Sequence, residues 1–207
     1  MKYKKIFDLK NRVAVITGAT GMLGKEFSLA LAEYGCKVAI IDLDLKKVTS
    51  FSDRLTKKFG VKSIGINCDV SNTKDVKDMV KSVEEYLGPI DILLNNAASK
   101  SNSLDEYFKS LENYNIDIWK EVIDVNLTGM YIVAKEIGSK MAKRKSGSII
   151  QTASIYSSIM ASDQRIYKGS RYLGKEINTP AVYAASKAGV VGLSLHLASY
   201  WAKNKVR

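Results

Sequence analysis

The stretch Val13-Ala14-Val15-Ile16-Thr17-Gly18-Ala19-Thr20-Gly21-Met22-Leu23-Gly24 decides how the rest of the chain is read. Residues 13–17 form a β-branched apolar run, which suits a short strand buried on both faces. Glycines follow at positions 18, 21 and 24. Residues 24–34 then place Phe27, Leu31 and Tyr34 at helical spacing, with Gly35 as the stop. A strand that turns through glycines straight into a helix lets backbone N–H groups come close to a pyrophosphate at the helix N-terminus. On that reading Gly18, Thr20, Gly21, Met22, Leu23 and Gly24 form the phosphate cradle. The same turn by itself is also the chemistry of any tight strand-to-helix connection, so its meaning depends on the rest of the chain.

Beyond Gly35 the alternation repeats. Lys37–Asp42 (KVAIID) is a second buried strand, and Leu45–Phe59 is an amphipathic helix closed by Gly60. Residues 62–68 read as a third strand. Ser71 or Thr73 can cap a helix that runs to Leu87 and stops at Gly88-Pro89. Residues 90–95 (IDILLN) are a fourth strand, and 98–115 are a polar loop with a short helix. A long helix over 118–145, a fifth strand over 147–153 and a last helix over 181–204 complete the pattern. Strands separated by helices predict an α/β fold, a doubly wound parallel sheet with helices on both faces. No internal repeat or low-complexity linker divides the chain, so residues 1–207 read as one domain. In such a sheet the ligand sits beyond the carboxyl ends of the strands.

Those ends carry a coherent set of side chains. Asp42 closes the second strand 24 residues after Gly18, where a carboxylate can accept hydrogen bonds from an adenosine ribose diol. Its charge would repel a 2′-phosphate, which favours NAD over NADP; the plainer reading of Asp42 is a helix cap, for which Asp44 competes. Asp69 and Val70 follow the third strand, and Asn95-Asn96-Ala97-Ala98 the fourth. Each alone could be turn chemistry, but together they fall on one sheet edge. Tyr183 and Lys187 lie four apart at the start of the last helix and so share a face. A neighbouring ammonium lowers a phenol's pKa, which would let Tyr183 exchange a proton with a hydroxyl or carbonyl. Ser154, just past the fifth strand, could hold the same oxygen. As an isolated pair, Tyr and Lys at this spacing are an ordinary surface contact.

Composition sets the limits around these candidates. The chain has 207 residues, 46% hydrophobic and 26% charged, enough for a sizeable core without staples. Cys36 and Cys68 form no CxxC pair, so neither a zinc site nor a disulfide framework is expected. His196, among leucines on the last helix, has no second ligand at helical spacing and reads as a packed or surface residue rather than a metal ligand. No run of 18 apolar residues occurs and no signal peptide opens the chain, which points to a reducing, cytoplasmic setting without a membrane partner. The net charge of +11 comes from 32 basic against 21 acidic residues, mostly scattered lysines. Solvated lysine faces explain it more simply than a nucleic-acid footprint. The cluster at 140–145 (KMAKRK) looks like a helix end, where cations suit the dipole.

Taken together, the glycine turn, Asp42, Asp69, the NNAA turn, Ser154 and Tyr183-Ala184-Ala185-Ser186-Lys187 resemble the short-chain dehydrogenase/reductase family over essentially the whole chain. The resemblance implies a Rossmann-type fold, a small-molecule substrate, a homodimer or homotetramer, and an Asn–Ser–Tyr–Lys catalytic set. The asparagine maps onto Asn126, which would bend its helix and position a proton-relay water. Ser154 would orient the substrate, Tyr183 would be the general acid/base, and Lys187 would bind the nicotinamide ribose and lower the tyrosine pKa. Asn96, Ala97, Tyr183 and Lys187 would join the cradle in binding the cofactor.

Three departures qualify that picture. The turn reads TGxxGxxG, as in the extended branch with its nucleotide-sugar epimerases and dehydratases, and Ala98 replaces the usual last glycine of NNAG. Ser154 and Tyr183 are 29 residues apart, well beyond the family's usual spacing. The extra stretch at 156–180, with Asp163, Gln164, Arg165, Tyr167, Lys168, Arg171 and Tyr172, suits a lid over a polar or anionic substrate. Its sequence is also similar to members linked to flagellin modification and polysaccharide biosynthesis, which points to a sugar or sugar phosphate. Finally, the chain stops where relatives continue into a sixth strand and substrate cover, as a C-terminal truncation would. The expectation is therefore an NAD-dependent oxidoreductase acting on a secondary alcohol or ketone. The alternatives are an extended-branch epimerase or dehydratase, and a catalytically silent nucleotide-binding protein.

Overall fold

In the computed structural model, which describes residues 7–157, 160, 163–172 and 174–207, five parallel strands form the central sheet. They are β1 (Val13–Thr17), β2 (Lys37–Asp42), β3 (Ser63–Asn67), β4 (Ile92–Asn95) and β5 (Ser148–Gln151), in the order β3-β2-β1-β4-β5. The chain winds outward from β1 to β3, returns, and winds the other way through β4 and β5. The order therefore reverses between β1 and β4, where Val15 pairs with Leu93. A crevice opens at such a reversal because successive crossovers leave it in opposite directions.

Both faces of the sheet are covered, and β1 divides them with the period of two that a strand imposes. Ala14 and Ile16 pack with Val38 and Ile40 against Val48, Phe51 and Leu55. These come from α2 (Leu45–Phe59), which lies beside α1 (Met22–Glu33). Val13 and Val15 face the other way, with Ala39, Ile41 and Leu93. There they meet Val76, Met79, Val80 and Val83 of α3 (Thr73–Leu87) and Val133, Ile137 and Met141 of α6 (Met130–Arg144). Burying each such side chain contributes about 1.5–3 kcal/mol, so the two layers hold the sheet that positions everything else. The arrangement is Rossmann-like, as the alternation of strands and helices predicts.

The structure settles several ends and caps, and some differ from the sequence reading. The first helix begins at Met22 rather than Gly24. The cap of α3 is Asn72, whose side chain accepts from the N–H groups of Lys74 and Asp75, and not Ser71 or Thr73. Asp44, not Asp42, caps α2. The long helix over 118–145 is three pieces: α5 (Ile116–Ile123), a π-helical turn at Asp124–Gly129, and α6. Between β4 and α5 lie α4 (Leu104–Tyr107) and a 3-10 turn at Leu111–Asn113. Of the basic cluster at the end of α6, Lys140 and Arg144 both reach Glu84 of α3, so part of it is paired.

The last helix, α7 (Ala181–Tyr200), ends before Asn204 and packs on α5 and the π-helical turn. Although it holds no unbroken apolar run, its length and mean hydropathy of 1.2 would fit a membrane span. Its buried face nevertheless includes Ser186 and Lys187 beside Val182 and Val190, the pattern of a helix docked on a polar site.

Gly65 on β3 supplies a test of the layer packing. A Cβ there would overlap the carbonyl group of Val48 and lie 2.6 Å from the Thr49 nitrogen. Gly65→Ala is expected to lower stability by about 1–3 kcal/mol through forced separation of α2 from β3. A urea midpoint unchanged from the parent chain would disprove that close contact.

Candidate active site

The carboxyl ends of β1 and β4 are stitched together by one hydroxyl. Thr17 is fully buried; its Oγ1 accepts from the N–H groups of Asn96 (2.9 Å) and Ala97 (3.0 Å) and donates to Asn95 Oδ1 (3.3 Å). Asn96 answers with its Nδ2, which reaches the carbonyl oxygens of Thr17 and Gly18. Gly18 takes φ +62°, and a Cβ on it would lie 2.9 Å from the Ala97 Cα. Glycine is therefore needed there for conformation and for space. Gly24 is needed for space alone, because a Cβ would overlap the Gly18 carbonyl.

Beside this seam lies a cavity of ≈ 380 Å³ lined in part by Gly18, Asp42, Asp69, Val70, Ala97 and Ser99. Five sequence candidates thus share one cleft: Gly18, Asp42, Asp69, Val70 and Ala97. Thr20 joins through Asp42, whose Oδ2 accepts from the Thr20 N–H (2.9 Å) and hydroxyl (2.6 Å), while Oδ1 accepts from the Leu43 N–H. Asp69 accepts from both the N–H and the hydroxyl of Ser71, an Asx turn that aims its loop. Gly21 is the residue before the first turn of α1, and Met22 and Leu23 stand exposed there.

The second half of the site hangs on β5. Asn95 Nδ2 donates to the Met130 carbonyl (2.8 Å) and to Gln151 Oε1 (3.2 Å). Thr152 donates its hydroxyl to Asn96 Oδ1 (3.1 Å), and its carbonyl accepts from Lys187 Nζ at 2.7 Å. Lys187 is only 2% exposed, and burial pushes its ammonium down from the ordinary 10.5 to about 8. Tyr183 shares its helix face and is half-buried.

Asn126 sits in the π-helical turn, fully buried, and is paired in both directions with one backbone unit. The Ser99 N–H donates to its Oδ1 (2.7 Å) and its Nδ2 donates to the Ser99 carbonyl (3.2 Å). It thereby ties the distorted helix to the loop after β4, and π turns of this kind occur preferentially at functional sites. Ser154 is half-buried and turned into its own loop. Its Oγ accepts from the Tyr156 N–H and its carbonyl from the Ser157 hydroxyl. Among the described residues no hydrogen bond joins Ser154 or Lys187 to Tyr183, and none of Asn126, Ser154, Tyr183 and Lys187 lines the cavity beside Gly18, although the Ser99 that Asn126 holds does.

Thr17, Ser99, Gln151 and Thr152 are structural members of the site that the sequence reading did not single out. Their partners lie 27 to 80 positions away. The one local signal is that each stands at or just after a strand end. Of the stretch at 156–180, the described residues form a 3-10 turn at Gln164–Tyr167 and a two-residue hairpin, Arg171–Tyr172 with Lys175–Glu176. Ser158, Ile159, Ala161, Ser162 and Leu173 lie outside the described residues. The segment docks on the loop after β4, where Asn178 Nδ2 reaches the Phe108 and Lys109 carbonyls and Phe108 meets Tyr172 ring to ring.

Comparison with known proteins agrees with the fold. Residues 12–173 match the family model of the short chain dehydrogenases. A sorbose reductase of Candida albicans is 32% identical over 95% of this chain and 63% of its own length. A 2-dehydro-3-deoxy-D-gluconate 5-dehydrogenase of Formosa agariphila is 28% identical over 98% of this chain and 68% of its own. The crystal structure of an NAD+-bound xylitol dehydrogenase superposes with a TM-score of 0.79 at 27% identity, covering 96% of this chain and 68% of that one. The chain therefore spans about two thirds of the length of these relatives.

The buried ammonium of Lys187 has a measurable signature. In the unfolded chain it titrates near 10.5 and in the folded chain near 8. Between those values the unfolded chain holds the extra proton, so this residue makes stability rise with pH across that window. Cys36 and Cys68, whose thiols burial pushes up to about 12, act in the opposite sense there. The comparison must therefore be with Lys187→Met. The parent chain is expected to gain about 3 kcal/mol on the variant between pH 8 and 10.5. A pH-independent difference in urea unfolding would show that Lys187 is not desolvated.

Proposed function

The chain belongs to the short chain dehydrogenase family, and from that membership we propose an NAD-dependent oxidoreductase that interconverts a secondary alcohol and a ketone on a sugar or polyol. The observation that carries the proposal is the buried Lys187 fixed to the Thr152 carbonyl, on the same hydrogen-bonded seam that holds the glycine turn. On this reading proton chemistry and a dinucleotide cradle, drawn from opposite ends of the sequence, would share one sheet edge.

The cleft fits the cofactor. Gly18, Thr20, Gly21, Met22, Leu23 and Gly24 would cradle its pyrophosphate, where bare glycines let the backbone come close. Asp42 would accept from the adenosine ribose and disfavour a 2′-phosphate. Asp69, Val70, Asn96 and Ala97 would line the remainder, with Tyr183 and Lys187 at the nicotinamide ribose. When bound, the nicotinamide supplies the acceptor or donor of hydride.

The chain's own groups handle the proton. Tyr183 would give a proton to the carbonyl oxygen in reduction and take it from the alcohol in oxidation. The Lys187 ammonium would stabilise the resulting phenolate. Ser154 would hold the reacting oxygen, and Asn126 would keep the Ser99 backbone in place behind it. The sugar reading draws support from the sorbose, gluconate and xylitol enzymes among the relatives. The segment at 156–180, which leaves beside Ser154 and returns beside Tyr183, would cover the substrate. Leu195 and Tyr200 on α7, 69% and 68% exposed, suit burial between copies in a homodimer or homotetramer.

Fluorescence titration with NADH and NADPH, followed by turnover on polyols and keto-sugars, tests the proposal. NADH is expected to bind, and more tightly than NADPH. Tyr183→Phe is expected to keep NADH affinity while turnover falls about 10²–10⁴-fold. Failure to bind either dinucleotide, or full turnover by Tyr183→Phe, would refute it; a preference for NADPH would refute the role of Asp42.

A further inference from the structure

The chain of hydrogen bonds that begins at Thr17 runs past β5 into the last helix. The Thr17 hydroxyl accepts from two backbone N–H groups, so its lone pairs are taken and its proton goes to Asn95 Oδ1. That orients the Asn95 amide, whose Nδ2 faces the Met130 carbonyl and Gln151 Oε1. Gln151 therefore meets Asn95 with its oxygen and turns its Nε2 outward, where the Ser194 hydroxyl accepts at 3.2 Å. Ser194 in turn donates to the Val190 carbonyl, one turn back on α7, at 2.8 Å. Each donor direction is set by the one before it, from the backbone after β4 to the backbone of α7.

Among the described residues, hydrogen bonds tie α7 to the end of β5 at two points. Lys187 Nζ donates to the carbonyl of Thr152, just past the strand, and Ser194 accepts from Gln151. Lys187 and Ser194 are seven positions apart, two turns along one helix face. At a rise of 1.5 Å per residue they lie about 10.5 Å apart along the axis, with Tyr183 about 6 Å from Lys187 on the other side. Apolar packing also holds this end of the helix, where Leu197 and Trp201 join the cluster that includes Ile149. Such packing is non-directional, whereas hydrogen bonds at two separated points fix both the register and the tilt of a helix. With the Ser194 point removed, α7 is free to pivot about Lys187. A slip of about 1 Å at Ser194 is then a tilt of about 5° and shifts the Tyr183 backbone by about 0.6 Å.

We propose that Ser194, held by Gln151, is a positioning residue that sets the tilt of α7 and with it the place of Tyr183 relative to the end of β5. That this place governs proton transfer rests on the oxidoreductase reading; the setting of the tilt does not.

Ser194→Ala removes the acceptor. Ser194→Thr keeps it, and the cavity of ≈ 200 Å³ that Ser194 lines has room for the added methyl. Alanine is the better helix former and offsets much of the lost bond, so the Tm of Ser194→Ala is expected to stay within about 4 °C of the parent. Backbone amide residual dipolar couplings of the full chain read the axis of α7 against the sheet. They are expected to show a tilt of about 5° in Ser194→Ala and the parent axis in Ser194→Thr. In turnover with NADH and keto-sugars, the kcat of Ser194→Ala is expected to fall roughly tenfold, with KM and NADH affinity unchanged and Ser194→Thr restoring the rate. Should Ser194→Ala not fold, Gln151→Met, which leaves Asn95 Nδ2 its Met130 partner, decides by the same criteria. Couplings identical in all the proteins, a tilt that leaves kcat at the parent value, or the same loss in Ser194→Thr would overturn the proposal. A tilt in Ser194→Ala alone, with no turnover even by the parent chain, would sustain the role of Ser194 in setting the helix and sink the oxidoreductase.

Discussion

Where β1 and β4 end side by side, the sheet's ladder runs out and the N–H groups of Asn96 and Ala97 need a new acceptor. The Thr17 hydroxyl supplies it to both while donating to Asn95. Unpaired buried donors cost about 1–3 kcal/mol each, so this one oxygen stabilises the reversal point against fraying. It also sets the direction of the chain beyond it. Asn95 and Asn96, held by Thr17, in turn grip Gln151 and Thr152, and Thr152 presents the carbonyl that receives Lys187. The edge of the crevice is thus held by side chains committed to one another across three strand ends and one helix.

Asp42 illustrates how tightly structure and binding share the same atoms. A carboxylate offers roughly four acceptor sites, and Thr20 and Leu43 take three of them. The bond from Thr20 closes the glycine turn onto β2, so the residue that would read the adenosine ribose also shapes the cradle for the phosphates. Replacing Asp42 would disturb both, and only conservative changes could separate charge from shape. Asn126 carries the same double duty. Its two bonds to Ser99 satisfy a fully buried amide and join the π-helical turn to the loop that borders the cleft.

The sheet was legible because both of its faces are buried, which writes each strand as a continuous apolar run bounded by turn residues. The glycine turn was legible because at Gly18 and Gly24 neighbouring backbone leaves no room for a Cβ. Thr17, Ser99 and Thr152 were not, since their roles consist of hydrogen bonds to distant residues and a threonine after a strand looks like any other. The α3 cap was a contest within three adjacent positions, all able to cap, which geometry settled for Asn72. The π turn was hidden for another reason: one extra residue per turn barely alters the spacing of apolar side chains across 118–145. The docking of the segment onto Phe108 and Lys109 depends on the Asn178 side-chain amide reaching two backbone carbonyls and on one ring contact, which leave no pattern in either segment.

That last segment also differs from the scaffold in how it is held. The sheet layers bury large apolar side chains, whereas the 164–181 stretch is anchored by side-chain amides on backbone carbonyls and by one ring contact. Such anchors fix position without forming a core, and loops built this way change from protein to protein while the elements beneath them persist. Loss of one amide bond costs about 0.5–1.5 kcal/mol net, enough to reshape the loop and too little to unfold the sheet. Selectivity carried by a segment of this kind can change without touching the seam from Thr17 to Lys187.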